Sequence, residues 1–171
     1  MSAPRAPSAG PVPGAGSPFR RLLVPLDDSA IAPVVFMTAV QTAKALGAQI
    51  HLLRVLTIEP DFPPAAHVKP NGLEAKLLSD ARTELGTWMA SVTGVDFGPP
   101  QVTWGEPWRQ ILDVARALDV DLIVIGSHRH HGIERVLGTV ASKIVNHADR
   151  DVLVVHRRSG AAPVSGQSHP R

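Results

Sequence analysis

The chain contains no cysteine in its 171 residues. That excludes a disulfide framework, a thiolate metal site and a thiol nucleophile. It also suits a reducing cytoplasm, the compartment we expect. Aromatic residues supply only 4% of the sequence, too few for base-stacking platforms. The formal net charge is +2, from 17 basic and 15 acidic residues, and no basic stripe interleaved with aromatics occurs. Nucleic acid is therefore not an expected partner. No apolar run approaches the ~20 residues of a membrane span. The N-terminus also lacks the apolar core of a secretory signal, so no membrane partner is expected. Catalytic signatures are missing as well. There is no Gly-x-Ser-x-Gly elbow, no Walker loop, and no Gly-x-Gly-x-x-Gly after the first apolar run.

Two segments are rich in Pro, Ala, Gly and Ser and poor in large apolar side chains. Residues 1–18 and 157–171 cannot bury enough surface to offset ordering entropy, and both read as disordered tails. Residues 19–156 read as one domain, large enough for a real core.

Within that domain, short apolar runs alternate with helical patterns. Leu22 to Leu26 and Gln49 to Leu56 read as strands buried on both faces. Pro33 to Leu46 has helical spacing and stops at Gly47. Residues 57–71 carry four prolines and read as a loop long enough for a flap. Gly72 to Val92 follows as a helix, with Leu73, Leu77, Leu78, Ala81, Leu85, Trp88 and Met89 as its core stripe. Residues 94–100 read as a turn, Gln101 to Trp104 as a strand, and Trp108 to Leu118 as a third helix. Val120 to Ile125, a helix from Thr139, and Val152 to Val155 complete the pattern. The order βαβαβαβαβ implies an α/β fold, an open parallel sheet of five strands with helices on both faces.

The chemistry concentrates at the carboxyl ends of two strands. Asp27-Asp28-Ser29 follows the first; Asp27 reads as a ligand contact or a cap, Ser29 as a helix cap. Gly126 follows the fourth, then a basic loop, then Gly138-Thr139 at a helix start. That stretch reads in two ways. It is an anion site, with glycines admitting a phosphate to the backbone and to free helix N–H groups, or an ordinary β-turn-α connection. His128, His130 and His131 lie in the loop with Glu134 as the nearest carboxylate, a poor metal set. Arg129 and Arg135 suit phosphate oxygens instead. His51 and Arg54 read as polar residues at the edge or end of the second strand.

Three segments carry a family resemblance: Arg21 to Ser29, Ala43 to Val55, and Asp121 to Val155. Together they resemble the universal stress protein family across residues 19–156. The resemblance implies a Rossmann-like, adenine nucleotide α-hydrolase-like fold that binds ATP, with Mg²⁺. It implies that Gly126, Gly138 and Thr139 surround ribose and phosphates, with Arg129 beside them. Pro25, Asp27, Val55, Ile125 and Val140 would line the adenine and ribose end. The loop departs from the family pattern: Arg129 replaces its second glycine, and the interval to Gly138 is shorter by one residue. Asp28 also stands where glycine is usual.

The resemblance further implies a homodimer through the Val152–Val155 edge. The expected function is a nucleotide-binding regulatory or protective module of the stress response with at most slow ATP hydrolysis. The alternative is a dimeric interaction protein of the same fold that binds no nucleotide. A fully catalytic relative would need a Ser-Gly-Gly-x-Asp-Ser loop, which Val24 to Ser29 does not supply.

Overall fold

The computed structural model describes residues 18–57, 73–127 and 137–156. Residues 1–17 and 157–171 of the expected tails, residues 58–71 of the expected flap, and the loop bearing His128, Arg129 and Arg135 lie outside them.

Strands β1 (Arg21–Pro25), β2 (Gln49–Leu56) and β5 (Leu122–Gly126) form the centre of the sheet. Their side chains alternate between two cores, as a strand's period requires. Leu22, Val24, Ile50, Leu52, Leu122 and Val124 face one core. Leu23, Leu53, Ile123 and Ile125 face the other. Helices α1 (Ala32–Leu46) and α2 (Leu73–Ala90) cover the first face. Helices α3 (Pro107–Ala117) and α4 (Thr139–His147) cover the second. Strands buried on both sides explain the unbroken apolar runs.

The sheet is parallel throughout, in the order β3-β2-β1-β5-β6, with β6 at Asp151–Val155. Strand β4 (Gln101–Trp104) also pairs with β2. The expected turn at 94–100 therefore contains a short strand, β3 (Asp96–Phe97), paired with Gln49 and Ile50. Gly98-Pro99-Pro100 separates it from β4, because two prolines supply no N–H to a ladder. The two pieces make one interrupted edge strand, so the six strands occupy the five positions that the pattern implies.

Helix α1 ends on Gly47 in the left-handed region (φ 66°), whose N–H reaches Ala43. The stripe on α2 is core only in its second half. Ala81 and Leu85 are buried, and Trp88 packs on Phe36 with ring centroids 5.0 Å apart. Leu73 and Leu77 are exposed. His51 is not an edge residue either: it is buried against Gly98.

Candidate functional site

The sheet order decides where a site can form. The chain leaves β1 toward β2 on one side and returns at β5 on the other. Helix α1 then departs over one face and α4 over the opposite face. The carboxyl ends of β1 and β5 are neighbours, since the strands pair at Leu22 with Leu122 and Leu23 with Ile123. Connections that diverge from adjacent strands leave a crevice between them.

A cleft of roughly 150 Å³ opens at that crevice. Pro25, Leu26, Asp27 and Ser29 form one wall, and Ile125 with Gly126 form the floor. Val55 closes one side, while Val140, Ala141 and Ile144 bring α4 to the other. Pro107 and Ile111 of α3 complete it. The lining is mostly apolar with a few polar groups, the usual make-up of a small-molecule site.

Polar groups gather at its two ends. At the β1 end, Asp27 Oδ1 accepts a hydrogen bond from the Ser29 amide at 3.1 Å and another from the Ser29 hydroxyl. At the β5 end lies the N-terminus of α4. Its N-cap, Gly138, has φ −58° and offers no side-chain cap, and its first turn holds no acidic residue. Among the described residues, the helix's first N–H groups therefore carry their partial positive charge without a side-chain cap or an acidic residue in the first turn. Ser127, next after β5, is buried with a hydroxyl that has no hydrogen-bond partner among the described residues. A buried unsatisfied hydroxyl is uncommon and costs roughly 1–3 kcal/mol.

The family model described as "Universal stress protein family" matches residues 18–156. The chain belongs to the universal stress protein family. A universal stress protein of Synechocystis, Sll1388, is 29% identical over 150 residues, covering 80% of this chain and 97% of its own. The structure of UspA from Lactobacillus plantarum superposes with a TM-score of 0.66 at 28% identity, covering 82% of this chain and 99% of that one. The Archaeoglobus fulgidus universal stress protein, solved in complex with dAMP, matches with a TM-score of 0.52 at 24% identity, covering 81% of this chain and 98% of that one.

In this universal stress protein, six of the nine anticipated site residues meet at the cleft: Pro25, Asp27, Val55, Ile125, Gly126 and Val140. Gly138 and Thr139 stand at the start of α4, just beyond the lining. Arg129 lies outside the described residues. The expected cap role of Ser29 is not what the structure shows. The N-cap of α1 is Ile31, without a side-chain bond, and Ser29 folds back onto Asp27 instead. Gly126 has a packing reason of its own, since a Cβ there would lie 2.8 Å from Ile31 Cγ2.

Sequence reading missed the wall from α3, Pro107 and Ile111. The available signal was Gly105-Glu106-Pro107, a strand-to-helix turn at the same sheet edge. It also missed Arg54, whose guanidinium reaches the Asp28 carboxylate at 2.5 Å and Glu84 at 3.8 Å. Burial lowers the Arg54 pKa, but the Asp28 hydrogen bond and the charges of Glu84, Asp28 and Asp27 more than offset this and raise it. Among the described lining residues, Asp27 is the single titratable side chain. Among the described residues no cluster of three or more potential metal ligands occurs.

Proposed function

We propose that this universal stress protein binds an adenine nucleotide, ATP carried with Mg²⁺, in the cleft between β1 and β5. The carrying observation is the polarity of that cleft. Asp27 lines one end, while the uncapped start of α4 adjoins Val140 at the other, and Ser127, with a hydroxyl unpartnered among the described residues, follows Gly126 of the lining. A carboxylate suits ribose hydroxyls and repels phosphate; helix N–H groups attract it. Ribose therefore belongs at Asp27 and the phosphates toward Gly126, Gly138 and Thr139, with Arg129 as their cation. The base rests on Pro25, Val55, Ile125 and Val140. With no carboxylate cluster among the described residues, Mg²⁺ would arrive on the phosphates, the usual mode for this ion. The A. fulgidus relative, solved with dAMP, supports a nucleotide of this class.

The reading extends to role. One titratable side chain in the described lining offers no strong base for water, so the module responds to bound nucleotide and hydrolyses it slowly at most. It would act as a cytoplasmic regulatory or protective protein; among the described residues no helix is long and apolar enough to cross a membrane. We also propose a homodimer through β6. This strand lies at the end of the sheet, and Val152 to Val154 are only half-buried.

The test is a thermal shift with and without MgATP, on wild type and Gly138→Val. Ligand at a hundredfold excess over its Kd stabilises by about 2.7 kcal/mol. For this size that raises Tm by roughly 5–11 °C. A shift in wild type that disappears in Gly138→Val supports the reading. No shift in folded, nucleotide-free wild type overturns it and favours the dimeric interaction protein, to which the departure at Arg129 already points.

A further inference from the structure

Arg54 lies near the end of β2, on the face covered by α1 and α2, with its side chain only 12% exposed. It does not line the cleft. Its contacts nevertheless converge on the turn that does. One guanidinium nitrogen donates to the Leu26 carbonyl at 3.2 Å, where the main chain leaves β1. The other pairs with Asp28 at 2.5 Å and approaches Glu84 of α2 at 3.8 Å. The Leu26 amide in turn donates to Leu53 at 2.9 Å, one step beyond the last paired residues. Arg54 thus ties the start and the middle of the turn that carries Asp27 and Ser29 to β2.

The charges favour that hold. Asp27, Asp28 and Glu84 all lie within the field of one guanidinium. Arg54 sets a positive charge against the adjacent carboxylates at 27 and 28 and against Glu84. A planar fork with fixed donors can satisfy a carboxylate and a carbonyl together, which an ammonium cannot do with the same geometry.

We infer that Arg54 is a positioning residue: it fixes the Leu26–Ser29 turn so that Asp27 faces the cleft, and thereby sets affinity for the nucleoside end of the ligand. The effect on affinity rests on the nucleotide-binding reading above; the effect on the turn does not. Helix α2 is joined to the same clamp through Glu84.

The experiment uses the full chain as wild type, Asp28→Asn, Arg54→Met and Arg54→Lys. Amide hydrogen exchange is first measured without ligand. Loss of the clamp speeds exchange of the Ser29 amide about tenfold or more in Asp28→Asn and Arg54→Met, with the Ser127 amide between β5 and β6 unchanged. Arg54→Lys falls between, keeping charge but not the fork. Calorimetry with MgATP and with magnesium triphosphate then separates the two ends of the cleft. MgATP binding weakens about tenfold in the two clamp variants, the scale of one charged hydrogen bond, while triphosphate binding holds.

Unchanged Ser29 exchange in both clamp variants overturns the inference, whatever ATP does. Equal weakening of ATP and triphosphate overturns it too, since that marks general damage. Wild type that binds no MgATP sinks the nucleotide reading, and the exchange arm alone then decides the role of Arg54. Asp28 is largely exposed, so Asp28→Asn carries the test if Arg54→Met fails to fold.

Discussion

Gly126 lies against Ile31. A Cβ added to Gly126 would stand 2.8 Å from Ile31 Cγ2 and 3.0 Å from Val35 Cγ2. Both neighbours are β-branched and buried at the start of α1, so neither can swing aside cheaply. The close approach brings α1 down onto the end of β5 and closes the cleft floor. Gly126→Ala should therefore destabilise the fold by about 1–3 kcal/mol through overpacking. Urea denaturation reads this directly. A variant as stable as wild type would mean that α1 can lift from β5, and Gly126 would then be needed for ligand alone.

His51 supplies a pH dependence. Its ring is buried against Gly98, and among the described residues neither ring nitrogen has a hydrogen-bond partner. Burial, then the charge of Arg21, pushes its pKa below the ordinary value, and Asp96 opposes them. The unfolded chain titrates this group near about 6.5. As pH falls through that value the unfolded state takes the proton first, so the fold loses stability until the lower folded pKa is passed. His51→Leu should abolish this part of the decline between about pH 7.5 and pH 5.5. At the upper pH it should stay within about 1 kcal/mol of wild type, because it removes an orphaned polar group along with the ring. Equal pH slopes for the two proteins would count against a buried neutral imidazole.

Much of this was legible because each signal was local. Leu22 to Val24 and Leu122 to Ile125 are apolar without a break, which only a strand covered on both sides explains. Gly47 and Pro33 bracket α1 in the way that helix termini require. What escaped depends on neighbours that sequence does not order. Asp96–Phe97 is too short to show a period and stands before two prolines. Leu73 and Leu77 keep helical spacing although they are exposed. Ser29 is equally suited to cap a helix or to close a turn on Asp27, and the position of α1 chose the second. Pro107 and Ile111 became part of the cleft only because β1 and β5 are adjacent. Arg54 looked like a polar residue in a strand; its partners are 26 and 30 positions away, at Asp28 and Glu84.

At the opposite edge of the sheet, Asp121 fixes the entry to β1. One carboxylate oxygen accepts the amides of Arg20 at 2.7 Å and Arg21 at 2.8 Å. Burial raises the Asp121 pKa, but these two bonds and the charges of Arg21 and Arg20 lower it more, so the net displacement is downward. Stability from this group is present above its unfolded pKa and is lost as pH falls through the lower folded one. Asp121→Asn keeps the shape and removes the charge, and should cost about 1–2 kcal/mol near neutral pH. The same substitution should flatten the acid limb of the stability curve. Guanidinium melts across the acid range would expose the opposite result, a variant that keeps the wild-type limb.

The outer edge of β6, the last strand of the sheet, gives the sharpest test of assembly. The Ser127 amide donates to the Val155 carbonyl at 2.9 Å, so Val155 turns its main-chain groups toward β5. Main-chain direction alternates along a strand, so the N–H and C=O of Val154 point the other way, where no described strand lies. Proline at 154 removes one outward donor and fills its place with a ring, yet deletes no bond between β5 and β6. Wild type should sediment as a dimer and Val154→Pro as a monomer, with ligand-free spectra of the folded domain retained. A variant that remains dimeric would move the interface away from the edge. The exposed Val34 and Met37 of α1 and Val145 of α4 would then be the apolar side chains to examine. Wild type that sediments as a monomer at every concentration would instead mean that this edge is covered from within the chain.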